Sequence, residues 1–385
     1  MHVYSGIEEP SREAGQREDL PALAEALPRV ADPQPFQQGL RRTTLPRMTL
    51  GRRAFLRTAA AAAVAAACAP TTAKASPTPE PPLGPPETTT IRIHGPTGCD
   101  PWTWLADDFL KEEGFTDVKL VNPGPLAIVK GDADLGVGYG QYLAAHIDAG
   151  SPFVLLGGTH VGCIELWAKP GIGTIRDLRG KTIVVFKKDP LVDIFYGIWV
   201  TMLTSVGVDP AEVKFVELND PKANEIDSFI AGTSDATLAA VTQGPALRAN
   251  PKNPGQMIFD TTVDKPWSQY YCCLLTSNRD WAKANPNATK RATRAVMRAI
   301  DLGAKDRQRT VQIAAEKKIT QNPQRLLEAI KDLPYDWREY DPEETLRFLA
   351  LRLADGKQIK KTPQQIITDG TDFAWFRRLQ KDLKA

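Results

Sequence analysis

The chain has 385 residues, with 48 Lys plus Arg against 46 Asp plus Glu, 42% hydrophobic and 8% aromatic residues. That balance excludes disorder throughout, and a formal charge of +2 is too small for nucleic-acid binding as a main activity, which needs a strongly basic face. At ~150 residues per domain the length allows two domains or one large one.

The composition is uneven along the chain. All eight Trp lie from Trp102 onward, whereas 13 of the 31 Pro precede residue 90, so the folded part is expected to start near there. Gly51, Arg52, Arg53, Ala54, Phe55, Leu56 and Arg57 match the twin-arginine export pattern, and Ala59 to Ala67 follow as a weakly apolar run. The run is half of the ~20 residues that span a bilayer as a helix, which favours an export signal over a permanent span. Residues 1–67 therefore read as an N-terminal extension and signal peptide, with Met48 the expected translation start.

Ala65, Ala66, Ala67 and Cys68 resemble a lipoprotein cleavage box, although Ala65 stands where Leu is usual. Lipidation of Cys68 is the expectation, with ordinary peptidase cleavage nearby as the other outcome. Seven Pro among residues 70 to 86 keep the following stretch extended, so 68–90 reads as a tether from a membrane lipid to a periplasmic or otherwise extracytoplasmic body. The Cys that remain (Cys99, Cys163, Cys272, Cys273) show no disulfide-scaffold spacing, and Cys272 and Cys273 read as small hydrophobes on a buried strand.

Ile91 and Ile93 alternate with polar residues and predict a strand over Thr90 to His94. Asp100 and Pro101 then predict the cap and first position of a helix over Trp102 to Glu113, stopped by Gly114. Val118 to Val121 is a strand, and the pattern recurs with Ala133 to Val137, a helix over Gln141 to Ala149, and strands over Phe153 to Leu156 and Ile164 to Ala168. Thr182 to Phe186 is a strand; Asp189 and Pro190 predict the start of an amphipathic helix running to Gly207. Val213 to Leu218, Met257 to Asp260 and Tyr270 to Thr276 add strands, with a helix around Ala223 to Ala231. After Asn285 and Pro286 only helices are expected, including Gln324 to Lys331, Glu343 to Ala354 behind an Asp341-Pro342 start, and Phe373 to Leu383. Alternation of this kind implies an α/β body with mixed, mostly parallel sheets, helices on both faces and a helical C-terminal tail.

Ile175, Asp177, Leu178, Arg179, Gly180, Lys181 and Thr182, then Gly207, Val208, Asp209, Pro210, Val213, Phe215 and Val216, resemble solute-binding proteins of nitrate, taurine and sulfonate ABC importers, including the group similar to thiamine-precursor synthases. Ala133 to Gly136 before a short helix, and Trp281 through Asn285-Pro286 before a long one, fit the same family. The resemblance implies a two-lobed, type II periplasmic-binding-protein-like fold: residues 91–167 and 275–385 as lobe 1, 168–274 as lobe 2, and crossing strands near Glu165 to Ala168 and Tyr270 to Leu275. It also implies a small-molecule solute held in the cleft and an ABC permease and ATPase as partners. A pyrimidine-precursor enzyme of the same superfamily, or a binding module serving a sensor, are the competing roles.

In open α/β sheets ligands lie beyond the carboxyl ends of strands. That rule selects Trp102, Tyr139, Tyr142 and Tyr270 as flat walls, and Thr97, Gln141, Thr159, His160, Asp189 and Gln243 as orienting groups. A planar or partly apolar organic solute suits this set better than an inorganic anion, since the first loop has no Arg. His160, Cys163 and Glu165 suggest nucleophilic chemistry, but in an extended segment residues 160 and 163 point to opposite faces, so no catalytic residue, metal or cofactor is expected. Gly136, Gly138 and Gly140 lack the third Gly of the dinucleotide fingerprint, its place being held by Gln141. Balanced charge gives no reason for assembly, and a monomer is expected.

Overall fold

Ile91 and Ile93 are fully buried between solvent-facing neighbours, the alternation that sets strand β1 (Thr90–His94) into a sheet. Seen in the computed structural model, which describes residues 83–95, 99–100, 102–121, 126–220, 223–318 and 320–383, β1 belongs to the first of two five-stranded sheets. The others in that sheet are β2 (Asp117–Val121), β3 (Leu135–Tyr139), β4 (Phe153–Val161) and β10 (Tyr271–Asn278), in the order β2-β1-β3-β10-β4. The second sheet repeats the plan: β5 (Ile164–Ala168), β6 (Thr182–Val185), β7 (Lys214–Glu217), β8 (Ala236–Ala240) and β9 (Gln256–Asp260), in the order β7-β6-β8-β5-β9. In each, three parallel strands are followed by one antiparallel strand, β10 or β5, that enters from the other half of the chain.

Helices α1 (Trp102–Leu105), α2 (Asp107–Glu112), α3 (Ala127–Lys130) and α4 (Gly140–Asp148) accompany the first sheet, and α5 (Ile194–Ser205), α6 (Glu225–Ile230) and α7 (Gly244–Ala249) the second. The C-terminal helices are α8 (Arg279–Ala284), α9 (Pro286–Lys305), α10 (Arg307–Glu316), α11 (Pro323–Ile330), α12 (Pro342–Asp355), α13 (Pro363–Gly370) and α14 (Ala374–Asp382). The two-lobed fold and helical tail expected from sequence are therefore present. Helix α5 is buried from Ile194 to Thr204 because α4 and α12 of the first lobe pack against it, and its Thr201 and Thr204 hydroxyls donate to Ile198 O and Val200 O at 2.9 and 2.8 Å.

Pairing moves the lobe divisions from their sequence positions. Residues 164–167 pair with β8 and β9 and so belong to the second sheet, placing the first crossing at Gly162-Cys163. The return crossing spans 261–270, since β10 joins the first sheet from Tyr271. Gly162 permits the turn: its φ is +70°, and an added Cβ would overlap Thr262.

Local signals were corrected by tertiary contacts. The helix expected over 102–113 breaks at Ala106, and Asp100 turns inward to Thr159 and His160. Asp189 makes a turn, its carboxylate accepting from Leu191 N, while Asp193 caps α5 by accepting from Phe195 N and Tyr196 N. Asp341 caps α12 as expected, through Glu343 N.

Residues 83–90 of the expected 68–90 tether lie against the body. Arg291 donates to the carbonyls of Leu83 and Gly84, and Glu87 accepts from the N–H groups of Asn287 and Ala288, docking 83–90 onto the start of α9. The expected extension and signal peptide, with Cys68 and residues 68–82, lie outside the described residues.

Candidate functional site

The crossing at Gly162-Cys163 draws together the ends of strands from both sheets. Asp100, beyond β1, accepts from Thr159 Oγ1 at 2.8 Å, and its Oδ2 lies 3.2 Å from His160 Nε2. All three residues are essentially inaccessible to solvent. Tyr335, from the segment before α12, donates to Cys99 O at 2.7 Å and presents its ring edge-on to both Trp102 (4.7 Å between centroids) and His160 (5.5 Å). Trp102 is pressed against Gly303 of α9, where any Cβ would overlap the indole.

Sulfur fills the other side. Cys163 Sγ lies 2.6 Å from Cys272 Sγ and 3.9 Å from the Tyr139 hydroxyl, and Cys99 Sγ lies 3.9 Å from Cys273 Sγ. The expectation that residues 160 and 163 face apart fails because Cys163 is not in a regular strand: its φ of +133° turns the side chain back toward His160.

Two buried polar atoms here, Asp100 Oδ1 and Trp102 Nε1, have no hydrogen-bond partner among the described residues, whereas His160 Nε2 is paired with Asp100 Oδ2. Native proteins rarely leave such groups unsatisfied, so each calls for a water, an ion or a ligand to complete its bonding. Burial pushes the Asp100 carboxyl up. Burial would strip the His160 ring of its proton, but Asp100 and the Cys99 thiol override it and hold its pKa well above the ordinary value. Burial also pushes up the Tyr139 hydroxyl and the Cys273 thiol. Cys272 moves the other way, to about 7: burial opposes the shift, and hydrogen bonding with Cys163 and Cys273 produces it.

Of the residues selected from sequence, Trp102, Tyr139, Thr159 and His160 meet here. Gln141 and Tyr142 sit on α4 in the packing between the lobes, Gln141 Nε2 donating to Thr201 Oγ1 at 3.4 Å and Tyr142 tilted against His146. Asp189 is exposed, Gln243 accepts from Ala240 N, and Tyr270 stacks on Phe348 at 4.3 Å. Thr97 lies outside the described residues. Sequence reasoning missed Cys99, Asp100 as an inward group, Cys273 and Tyr335. The signal for Tyr335 was a pair of aromatics, Tyr335 and Trp337, in a segment with no helical period. A separate cavity of about 540 Å³, lined by residues such as Arg279, Lys283, Lys290 and Trp375, draws wholly on the first lobe and holds none of these groups.

Residues 106–310, more than half of the chain, match the model of the NMT1/THI5-like family. Among solved structures, the alkanesulfonate-binding protein SsuA from Xanthomonas axonopodis pv. citri bound to MOPS shares 17% identity over 75% of this chain and 99% of its own, with a TM-score of 0.58. The periplasmic nitrate-binding protein NrtA from Synechocystis PCC 6803 shares 14% over 78% of this chain and 90% of its own, also with a TM-score of 0.58. A DszB mutant in complex with biphenyl-2-sulfinic acid shares 12% over 76% of this chain and 99% of its own, at 0.52. No curated protein matches. With a duplicated five-stranded plan and a family match across both lobes, the chain belongs to the NMT1/THI5-like family and has a periplasmic-binding-protein-like fold.

Proposed function

We propose that this protein is the exported receptor of an ABC importer, capturing a small planar or partly apolar organic solute between its lobes and presenting it to a permease and ATPase. The observation that carries the reading is a pair of buried groups near the Gly162-Cys163 crossing, Asp100 Oδ1 and Trp102 Nε1, that lack a hydrogen-bond partner among the described residues. One accepts and the other donates, so the solute that satisfies them has both a donor and an acceptor. A buried carboxylate oxygen without a donor repels an anion, which directs the choice toward an N–H-bearing or cationic solute and away from an inorganic anion. Fold neighbours that bind sulfonate and nitrate support the role of receptor; the twin-arginine pattern supports export, and Cys68 supports attachment to a membrane lipid.

The test is mass spectrometry of any solute released from the purified full chain, followed by calorimetry and thermal shift against a panel of heterocyclic, amine, sulfonate and nitrate solutes. A bound solute raises the melting temperature in proportion to its saturation. No released solute, and no melting shift with any of the panel, would remove the proposal. The adjacency of Cys99, His160 and Asp100 favours one competing reading, an enzyme in which a cysteine sulfur attacks the bound molecule, against which hydrogen bonding with Cys163 and burial hold the Cys99 thiol above its ordinary pKa. Conversion of a bound solute that stops in Cys99→Ser would establish that reading, whereas unchanged solute recovered from the protein supports the receptor.

A further inference from the structure

We propose that Cys99, His160, Cys163 and Cys273 form a binding site for a thiophilic d10 metal ion, with Zn(II) the cation that the donor set fits best. The three sulfur atoms and a ring nitrogen of His160 all lie within 4.8 Å of one another, and all four residues are buried. In a tetrahedral site with metal–sulfur bonds near 2.3 Å, neighbouring sulfurs stand about 3.8 Å apart. The Cys99–Cys273 separation is 3.9 Å. Three thiols and one imidazole are a recurrent zinc donor set, and the four residues come from three separate stretches of chain that only this fold brings together.

His160 supplies the independent observation. Its Nδ1 lies 3.2 Å from the carbonyl of Val161, the contact by which metal-bound imidazoles usually fix their orientation. Its Nε2 is fully buried and lies 3.2 Å from Asp100 Oδ2. Both ring nitrogens thus face an oxygen, and a metal taking one of them would leave the other on its oxygen partner, the contact usual for a metal-bound imidazole. Binding would displace the protons of the coordinating thiols and of the ring. Cys272, whose sulfur touches that of Cys163, stands as an alternate donor from the neighbouring position.

The site stands apart from the importer reading, since Asp100 Oδ1 and Trp102 Nε1 are not among its donors. The experiment uses the full chain, purified with a thiol reductant and stripped of metal, then titrated with Zn(II) and, in parallel, with Co(II). Expected are roughly one zinc per chain, protection of thiols from a thiol reagent on zinc addition, and the intense thiolate charge-transfer and visible bands of tetrahedral cobalt. Cys99→Ser and Cys273→Ser should each weaken zinc binding roughly tenfold or more, with far-ultraviolet circular dichroism confirming that each variant is folded. The cobalt spectrum of the unaltered chain decides the matter even where a variant fails to fold. A hexacoordinate cobalt spectrum, thiols that react at the same rate with and without zinc, or a Cys163–Cys272 disulfide in a chain that takes up no zinc after reduction would each overturn the proposal. Solute binding by metal-free protein, measured separately, allows either proposal to fail without the other.

Discussion

Asp134 and Asp235 hold the same station in the two sheets: each carboxylate accepts the backbone N–H of a neighbouring strand, Arg92 N for Asp134 and Thr182 N for Asp235, both at 2.8 Å. Both aspartates end a turn that leads into the third parallel strand of their sheet, so the duplicated strand order is accompanied by a duplicated anchor. Asp134 is buried and also takes Arg92 Nε at 3.2 Å, whereas Asp235 is about a third exposed and is joined by Lys169. Replacing a buried acceptor leaves its donor unsatisfied, so Asp134→Ala should cost about 2–3 kcal/mol. Asp235→Ala should cost less, because water can reach the freed Thr182 N–H. Urea unfolding of the two variants checks the order; equal losses would show that burial of the partner does not set the cost.

Glu87 serves α9 as a cap from more than 190 residues away. Its Oε1 accepts from Asn287 N at 3.0 Å and its Oε2 from Ala288 N at 2.9 Å. Partial burial pushes its carboxyl up, and hydrogen bonds from Ala288 and Asn287 outweigh that, holding it below the ordinary value of 4.5. A depressed carboxylate contributes stability at neutral pH that disappears as pH falls from about 4.5 through its folded-state value. Glu87→Ala should destabilise by about 1 kcal/mol, and the difference from the parent should vanish in acid. A difference that persists at pH 3 would assign the effect to packing of the 83–90 segment rather than to the cap.

Much of the fold was legible because burial alternation survives in β1, and because Pro and Asp mark helix starts such as that of α12. What the sequence concealed depended on distant partners. Strand β8 escaped because Ala236, Thr237, Leu238, Ala239 and Ala240 lack the β-branched run that marks a strand; its burial comes from lying between β5 and β6. Asn285 looked like the cap of α9, but its side chain donates to Trp281 O, and the cap arrives from Glu87. Trp102, Tyr139, Thr159 and His160 were recoverable from the rule that ligands gather at strand ends. The sulfur cluster was not, because period-two reasoning assumes a regular strand and Cys163 departs from one.

His146 joins the lobes through pH-sensitive contacts. Its Nε2 lies 3.3 Å from Leu191 O of the second lobe, and its Nδ1 lies 3.0 Å from Ser151 Oγ. Tyr142 and Phe153 pack on the ring. Burial lowers its pKa, against smaller opposing effects from the Leu191 carbonyl and the Asp189 carboxylate. For a base whose folded value is depressed, the unfolded chain takes the proton first, so stability is full above the ordinary value of 6.5 and declines as pH falls through it. Between pH 7.5 and 5.5 the parent should therefore lose more unfolding free energy than His146→Gln. Parallel pH dependences in chemical denaturation would show that the ring keeps its ordinary titration.

Trp102 gives the solute reading a test of sign. Its indole N–H is buried without a partner among the described residues, while its ring is held between Tyr335 and Gly303. Trp102→Phe keeps an aromatic ring beside Tyr335 and deletes the orphaned donor. If the N–H exists to meet a solute, the solute-free variant should melt no lower than expected for the lost ring area, because an unsatisfied group has been removed, yet its affinity should fall about 2–10-fold, the value of one neutral hydrogen bond. Asp100→Asn should weaken binding further, since a bond to a charged acceptor is worth about 1.5–3 kcal/mol. Calorimetry with the co-purified solute, run beside thermal unfolding of the solute-free proteins, separates the two effects. Variants that lose stability while keeping full affinity would place Trp102 and Asp100 in the core packing of the first lobe, and the solute would have to be sought elsewhere between the sheets.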